Sequence, residues 1–496
     1  MTKTKLPTLN LALVLSILAA MTALIAKLTL TSGALLPGID GAYYWVQVRS
    51  LFNDATLAFE DLPLVFWIQS LIAFLVSDIE VGVRISDALL PTLSAIPIYL
   101  MLKNSKQVWL PACAILVALL HPVQLFFFTG DFIKNAAAMP LVFLLGWILH
   151  TWGDRKIMWS SLNLAATFSL LALTHFGAML LGAMILVIWS VFYLRSRPFA
   201  FWIRIVAITL ALSAVLLVAL ALIVPARFAR LFEFVSQPET IFADPFWQLM
   251  LIVNPEPAII FAMITGQLFS IALTFFLWKG RTKFNNASLA LAASSLVTAF
   301  LLSSPFVGYE WASRLIALSW VPLLLAAMLI WQASDRVSAK VTIAMFAIST
   351  LVLALVLFPA GAKRSAITDH EYTELIAASN DFKFPDKSIV VARHGLEYLI
   401  AWTMGTHVIQ EESYQEEDLS DYSSVFLLTT ESQVGYGGYG SYEGYGALNK
   451  PPTPSTKPPQ GSKPDEKPPV EPKVDKSSGA GEVVYQKGKI TITRLR

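Results

Sequence analysis

Apolar runs of roughly 17 to 25 residues recur along this chain, the length that crosses ~30 Å of hydrocarbon as a helix. A helix satisfies its own backbone hydrogen bonds where no water can, so helices are the default spanning structure. Of 496 residues, 56% are hydrophobic and 14% charged, with a mean hydropathy of +0.62. Soluble domains carry roughly a quarter charged residues, and a water-soluble fold could not hide so much apolar surface. The first run, Leu11 to Leu28, follows Lys3 and Lys5 and reads as a retained helix, because no small-residue cleavage site closes it. Cys113 is the sole cysteine, which leaves neither a disulfide framework nor a thiolate metal site.

Lys and Arg beside short loops mark the cytoplasmic side. Starting inside with Lys3 and Lys5, basic residues return at Lys103/Lys106, Arg155/Lys156, Arg195/Arg197, Lys279/Arg281/Lys283 and Arg336/Lys340, each after two crossings. This alternation predicts an all-α polytopic membrane protein of about eleven transmembrane helices. They are expected at 10–30, 86–103, 108–126, 137–152, 159–175, 178–194, 203–224, 257–278, 287–304, 315–332 and 341–358. The N-terminus is then cytoplasmic and the C-terminus outside, as expected of a multi-pass protein of a prokaryotic plasma membrane. Leu62 to Val76 is apolar but short, begins with Pro63 and is flanked by Glu60, Asp61, Asp78 and Glu80, so it is read as a helix lying along the outer interface. Arg227, Arg230, Lys363 and Arg364 fall outside, against the charge rule, and could mark a site for anionic lipid.

Four segments are expected: a transmembrane domain over 1–360, an extracytoplasmic α/β appendage over 361–431, a linker over 432–481 and a hairpin over 482–496. In the appendage, Glu371 to Ala378 and Glu397 to Met404 carry helical patterns, and Ser388 to Ala392 and Tyr422 to Leu428 read as strands. The Gly-Tyr repeats and the Pro/Lys-rich run that follow lack the apolar content to fold. Val483 to Leu495 alternates around Lys487-Gly488-Lys489 like a hairpin able to return to the appendage's sheet.

The unusual polar residues gather in the outward loops: Asp40; Asp131 and Lys134; His175; Arg227, Arg230 and Asp244; Glu310 and Arg314. A conduit would place ionisable groups or broken helices near the bilayer midplane, and the expected spans are nearly free of both. The first loop reads Gly38-Ile39-Asp40-Gly41-Ala42-Tyr43-Tyr44-Trp45-Val46-Gln47-Val48-Arg49. Asp-x-x-Tyr-Tyr-x-x-x-x-Arg after a first span, then an apolar helix at 63–77 and an Arg84-led second span, resembles the glycosyltransferase C (GT-C) superfamily. Its members include protein mannosyltransferases, aminoarabinose transferases and catalytic subunits of oligosaccharyltransferases. The second loop, Thr129-Gly130-Asp131-Phe132-Ile133-Lys134-Asn135, is similar to that superfamily's acidic second-loop motif, and the resemblance covers roughly residues 8 to 335.

The resemblance implies a membrane glycosyltransferase whose donor is a sugar on a polyprenyl phosphate or diphosphate. The acceptor is a protein, lipid or glycan on the outer face. It makes Asp40 the candidate catalytic carboxylate, acting as general base on an acceptor hydroxyl or orienting it. Tyr44, Arg49, His175 and Glu310 become substrate contacts. Lys134, Arg227, Arg230 and Arg314 become cations for the phosphate that departs. A divalent cation, magnesium or manganese, would be held by Asp131 with Asp40 or Glu310. The Trp-Trp-Asp sequon-reading motif is absent, which speaks against en bloc transfer to asparagine, and Gly41 stands where several mannosyltransferases carry a second acid.

Each residue also has a plainer explanation. Asp40 and Asp131 could be helix caps or turn residues, Lys134 an interfacial anchor, His175 a structural histidine, and Glu310–Arg314 an i,i+4 ion pair. Asn286-Ala287-Ser288 is a formal glycosylation sequon but falls on the expected cytoplasmic side. Two other functions fit the same sequence: a transporter or flippase of lipid-linked saccharides, and an inactive scaffold whose appendage binds a partner.

Overall fold

The structure is a computed structural model, and it describes residues 10–130, 132–152, 157–195, 257–307, 309–361, 365–414, 419–430 and 481–496, with 218, 221, 222, 225, 228 and 229. It divides into two compact units, Met1–Arg364 and Ser365–Arg496.

The first unit is helical. It opens with α1 (Leu11–Leu30), α2 (Gly41–Asp54), α3 (Leu64–Val76), α4 (Ile79–Thr92), α5 (Ala95–Leu102), α6 (Leu110–Leu119) and α7 (Pro122–Thr129). Then come α8 (Ile133–His150), α9 (Ile157–Thr174), α10 (Phe176–Leu194), α11 (Pro257–Gly280), α12 (Asn286–Leu302), α13 (Tyr309–Leu318), α14 (Trp320–Ala333) and α15 (Val337–Gly361). Among the described residues, eight helical stretches are long and apolar enough to cross a bilayer, with α4–α5, α6–α7 and α13–α14 each counted as one. The spans expected at 159–175 and 287–304 are apolar helices somewhat shorter than these, and of the one expected at 203–224 only 218, 221 and 222 are among the described residues.

The sequence explains how these helices pack. α1 turns Ala12, Ser16, Ala19, Ala23 and Lys27 inward at helical spacing and leaves Leu11, Leu18, Met21 and Ile25 exposed. Small residues let neighbouring backbones approach in a medium where apolar bulk gains nothing by clustering. α1 lies against α4, α5 and α6, and α12 against α10, α11 and α14. Every residue of α14 from Trp320 to Ile330 is buried, which places it at the centre of the bundle.

Two breaks position the site. Proline interrupts the second span at Pro91, before α5 begins. The third span stops at Leu120 and restarts at Pro122, where His121 caps α7 by accepting from Val123 N at 3.2 Å. The second span also starts at Ile79 rather than near residue 86. Ser77 in a left-handed conformation reverses α3 into α4, and Asp78 caps the new helix through Val81 N at 2.9 Å. The expected span begins at 86, with Arg84 at its end and Glu80 flanking the interfacial helix, whereas both lie inside α4. Arg84 is accommodated within it by donating to the carbonyls of Thr31, Gly33 and Ala34, which end α1 and begin the first loop.

The second unit holds α16 (Asp369–Asp381), β1 (Ser388–Ala392), α17 (Leu396–Met404), β2 (His407–Gln410), β3 (Ser424–Thr430), β4 (Glu482–Lys487) and β5 (Ile490–Arg494). Its sheet runs β2-β1-β3-β5-β4, with β1 parallel to β2 and β3 and β5 antiparallel to β3. Strand β1 is buried throughout, and Ile389 and Val391 form a core with Ile409 and Val425. Such continuous apolar strands belong at the covered centre of a sheet. Gly488, at φ +56°, makes the turn of the terminal hairpin. Thr368 and Glu371 cap α16 reciprocally.

Candidate active site

The first loop closes directly onto helix α2, and Asp40 is the residue that precedes it. Asn10, Asp78, His175 and Asn285 each accept a hydrogen bond from the first turn of the helix they precede. The Asp40 side chain does not. Capping, the plain explanation for an aspartate here, therefore does not account for this carboxylate, which remains half-buried at the head of the helix.

Beside it is a narrow recess lined by Thr31, Leu36, Pro37, Gly41, Tyr44, Asp87, Phe128 and Ile133. It brings together the end of α1, the first turn of α2, the third turn of α4 and the two residues that bracket the second loop. Gly41 is required by a close approach: a Cβ there would lie 2.6 Å from the Leu36 Cβ. Tyr44 is buried, one turn beyond Asp40, with its ring 5.8 Å from Phe66 and edge-on to Tyr43 at 5.4 Å. Arg49 lies further along α2, half-buried, and burial pulls its guanidinium below the ordinary pKa of arginine.

A polar network ties the first loop to the second. Lys134, in the first turn of α8, forms an ion pair with Asp61, a carboxylate 2% exposed. The Tyr43 hydroxyl donates to the same Asp61 oxygen at 2.5 Å, and Leu62 N donates to the other at 2.7 Å. Gln47 continues the chain, donating to the Tyr43 hydroxyl at 2.9 Å and to Phe59 O at 2.8 Å, and accepting from Phe59 N at 3.0 Å. The return limb of the first loop is thus pinned to α2 on one side and α8 on the other. Sequence reasoning had Asp61 only as the flank of an interfacial helix; its partner is 73 residues away, and no local pattern announces the pair.

Two other candidates lie on described helices. His175 caps α10, its Nδ1 accepting from Ala178 N at 3.2 Å. Arg314 is half-buried in α13, which packs on α10, α11 and α12. Asp131, Arg227, Arg230 and the Glu310 side chain lie outside the described residues. Among those described, no group of three His, Cys, Asp or Glu is placed to hold a metal ion. Asp61 is engaged with Lys134, Tyr43 and Leu62, and one Asp87 oxygen is engaged with Gln69. The described acids therefore do not compose a divalent-cation site by themselves.

The chain shares its fold with ArnT, a member of the GT-C superfamily. ArnT from Cupriavidus metallidurans, solved bound to undecaprenyl phosphate, is similar with a TM-score of 0.53 at 11% identity, over 96% of this chain and 97% of that one. The apo state of ArnT gives 0.51 at 12% identity over the same shares. An archaeal oligosaccharyltransferase, AglB from Archaeoglobus fulgidus in complex with an inhibitory peptide and a dolichol-phosphate, gives 0.49 at 12% identity, over 83% of this chain and 69% of that one. ArnT and AglB are both GT-C superfamily members. No protein-family profile matches the chain, and no curated protein matches it by sequence.

Proposed function

We propose that this chain is a membrane glycosyltransferase that moves a sugar from a polyprenyl-phosphate carrier to an acceptor on the extracytoplasmic face, with Asp40 as its catalytic carboxylate. The observation that carries the reading is the Asp40 side chain, which heads α2 without capping it and adjoins the recess of Gly41 and Tyr44 in a GT-C fold. That ArnT was solved with undecaprenyl phosphate supports a polyprenyl-phosphate donor. The alternation of basic loops supports an outward-facing site, a cytoplasmic N-terminus and an extracytoplasmic C-terminal unit.

In this mechanism Asp40 accepts the proton of an acceptor hydroxyl as its oxygen bonds to the anomeric carbon. The bond from that carbon to the phosphate oxygen breaks, and the polyprenyl phosphate leaves with the electron pair. Arg314, with Arg227 and Arg230, stabilises the charge that develops there, by charge-assisted hydrogen bonds. Lys134 acts through its pair with Asp61, holding the two loops in register. Tyr44, Arg49, His175 and Glu310 complete the substrate contacts. If a divalent cation takes part, Asp131 and Asp40 hold it.

The test is transfer of label from a panel of radiolabelled polyprenyl-phosphate sugars to polar acceptors by the full chain in lipid. Asp40→Asn should lower the rate by about 10²–10⁴-fold, the usual contribution of a positioned general base. An Asp40→Asn protein that transfers at the parental rate overturns the reading. Undiminished movement of the lipid-linked sugar across the bilayer, without transfer, would identify a flippase instead.

A further inference from the structure

Asp87 is an acid in an apolar place. It sits in α4 within a stretch apolar enough to span the bilayer, about 12 Å along the helix from Ile79 at ~1.5 Å per residue. It is 1% exposed, and its one hydrogen bond among the described residues comes from Gln69 Nε2 to Oδ1 at 2.7 Å. Gln69 is itself fully buried, and its own Oε1 has no partner among the described residues. The amide is turned to serve the carboxyl at the expense of its carbonyl, an arrangement that costs stability and calls for a reason.

The hairpin is built to hold this pair. Gly82 crosses α3 so closely that a Cβ there would lie 2.6 Å from the backbone nitrogen of Ala73, and the approach brings Gln69, one turn before Ala73, against Asp87. Asp87 also lines the recess shared with Thr31, Gly41, Tyr44, Phe128 and Ile133. One oxygen is therefore fixed by Gln69, and Asp87 is among the residues that line the recess beside the first turn of α2.

We infer that Asp87 is a substrate-binding carboxyl group that holds a hydroxyl of the donor sugar in this recess. The inference rests on the proposed transfer reaction and adds to it a named sugar contact. A group this far down a spanning helix is reached by a substrate whose anchor stays in the lipid, so the contact is to the donor and not to a water-borne acceptor. The Asp87 oxygen that Gln69 does not engage can accept a hydrogen bond, and a sugar hydroxyl can donate one. The plainer role is balance of the Arg84 charge one turn away. Balancing Arg84 would make Asp87 matter for folding and for every lipid alike, whereas a hydroxyl contact discriminates between lipids.

The experiment measures binding of undecaprenyl phosphate, with and without one hexosyl group, to the full chain in lipid nanodiscs. The parent should prefer the glycosylated lipid. Asp87→Leu combined with Gln69→Leu removes both polar groups while keeping apolar volume, and should reduce that preference about 3- to 10-fold, the range for one lost hydrogen bond. Binding of the bare lipid phosphate should be unchanged. Asp87→Asn, the smaller perturbation, should move the preference in the same direction. A parent without the preference, or a folded double variant that keeps it, overturns the assignment. Asp40→Asn tested in parallel separates the two claims: it should retain the binding preference and lose transfer. If it keeps transfer, the catalytic assignment fails while the Asp87 contact stands or falls on its own result.

Discussion

Replacing Lys134 with methionine keeps most of the side chain's apolar length and removes the ammonium that faces Asp61. The Asp61 carboxylate is 2% exposed and the lysine 20%, so the acid is left in a nearly dry site while the base had partial access to water. Removing one partner of a buried pair costs roughly 3–5 kcal/mol. Asp61 keeps the Tyr43 hydroxyl and Leu62 N–H, which places Lys134→Met at the low end, about 3 kcal/mol. Asp61→Asn leaves the lysine able to turn toward solvent and should cost about 1–2 kcal/mol. The double variant should lose less than the sum, with a coupling of about 2 kcal/mol, because neither charge is then stranded. Unfolding in mixed detergent micelles with rising dodecyl sulfate, followed by tryptophan fluorescence, gives all three values. A Lys134→Met protein within about 0.5 kcal/mol of the parent, the range of ordinary surface changes, would refute the reasoning, and so would strict additivity.

Gly82→Ala should destabilise the same bundle by about 1–3 kcal/mol in that assay, since the new methyl meets Ala73 backbone that cannot move aside. His175→Ala should cost about 1 kcal/mol through the lost cap, and His175→Asn should restore it; near-parental transfer by His175→Asn would assign this residue to the fold and not to substrate. In the second unit, Lys487 donates to Asp381 at 2.7 Å; the bond and the charge of each hold the Asp381 pKa below and the Lys487 pKa above the ordinary value. The stabilisation from Asp381 is present above its unfolded pKa of ~3.9 and is lost as pH falls through the lowered one; that from Lys487 is present below ~10.4 and is lost as pH rises through the raised one. Hydrogen-exchange protection of β4 and β5 in the intact chain should therefore fall toward both extremes, and Lys487→Met should remove this pair's contribution at both ends.

Much of the helical layout was legible from hydropathy alone. Runs at 10–30, 137–152, 178–194 and 341–358 became α1, α8, α10 and α15, because a long apolar stretch has few ways to satisfy its backbone away from water. The strand patterns at 388–392 and 422–428 and the terminal alternation likewise correspond to β1, β3 and the β4–β5 hairpin. Asp40 could be singled out because its motif is contiguous. The start of the second span was less legible: it is expected at 86 behind Arg84 but begins at Ile79, since a sequence does not show that the carbonyls ending α1 will receive the guanidinium.

What only tertiary structure decided is who faces whom. Near-equally apolar stretches take opposite fates, α14 enclosed at the centre of the bundle and α15 largely exposed. In lipid the hydrophobic effect does not separate these outcomes, because a leucine is as much at home against acyl chains as against another helix. The decision falls to small residues, close backbone approaches and a few buried polar pairs. Lys134 on α8 meets Asp61 of the first loop, and Gln69 on α3 meets Asp87 on α4, at distances along the chain that no local pattern spans.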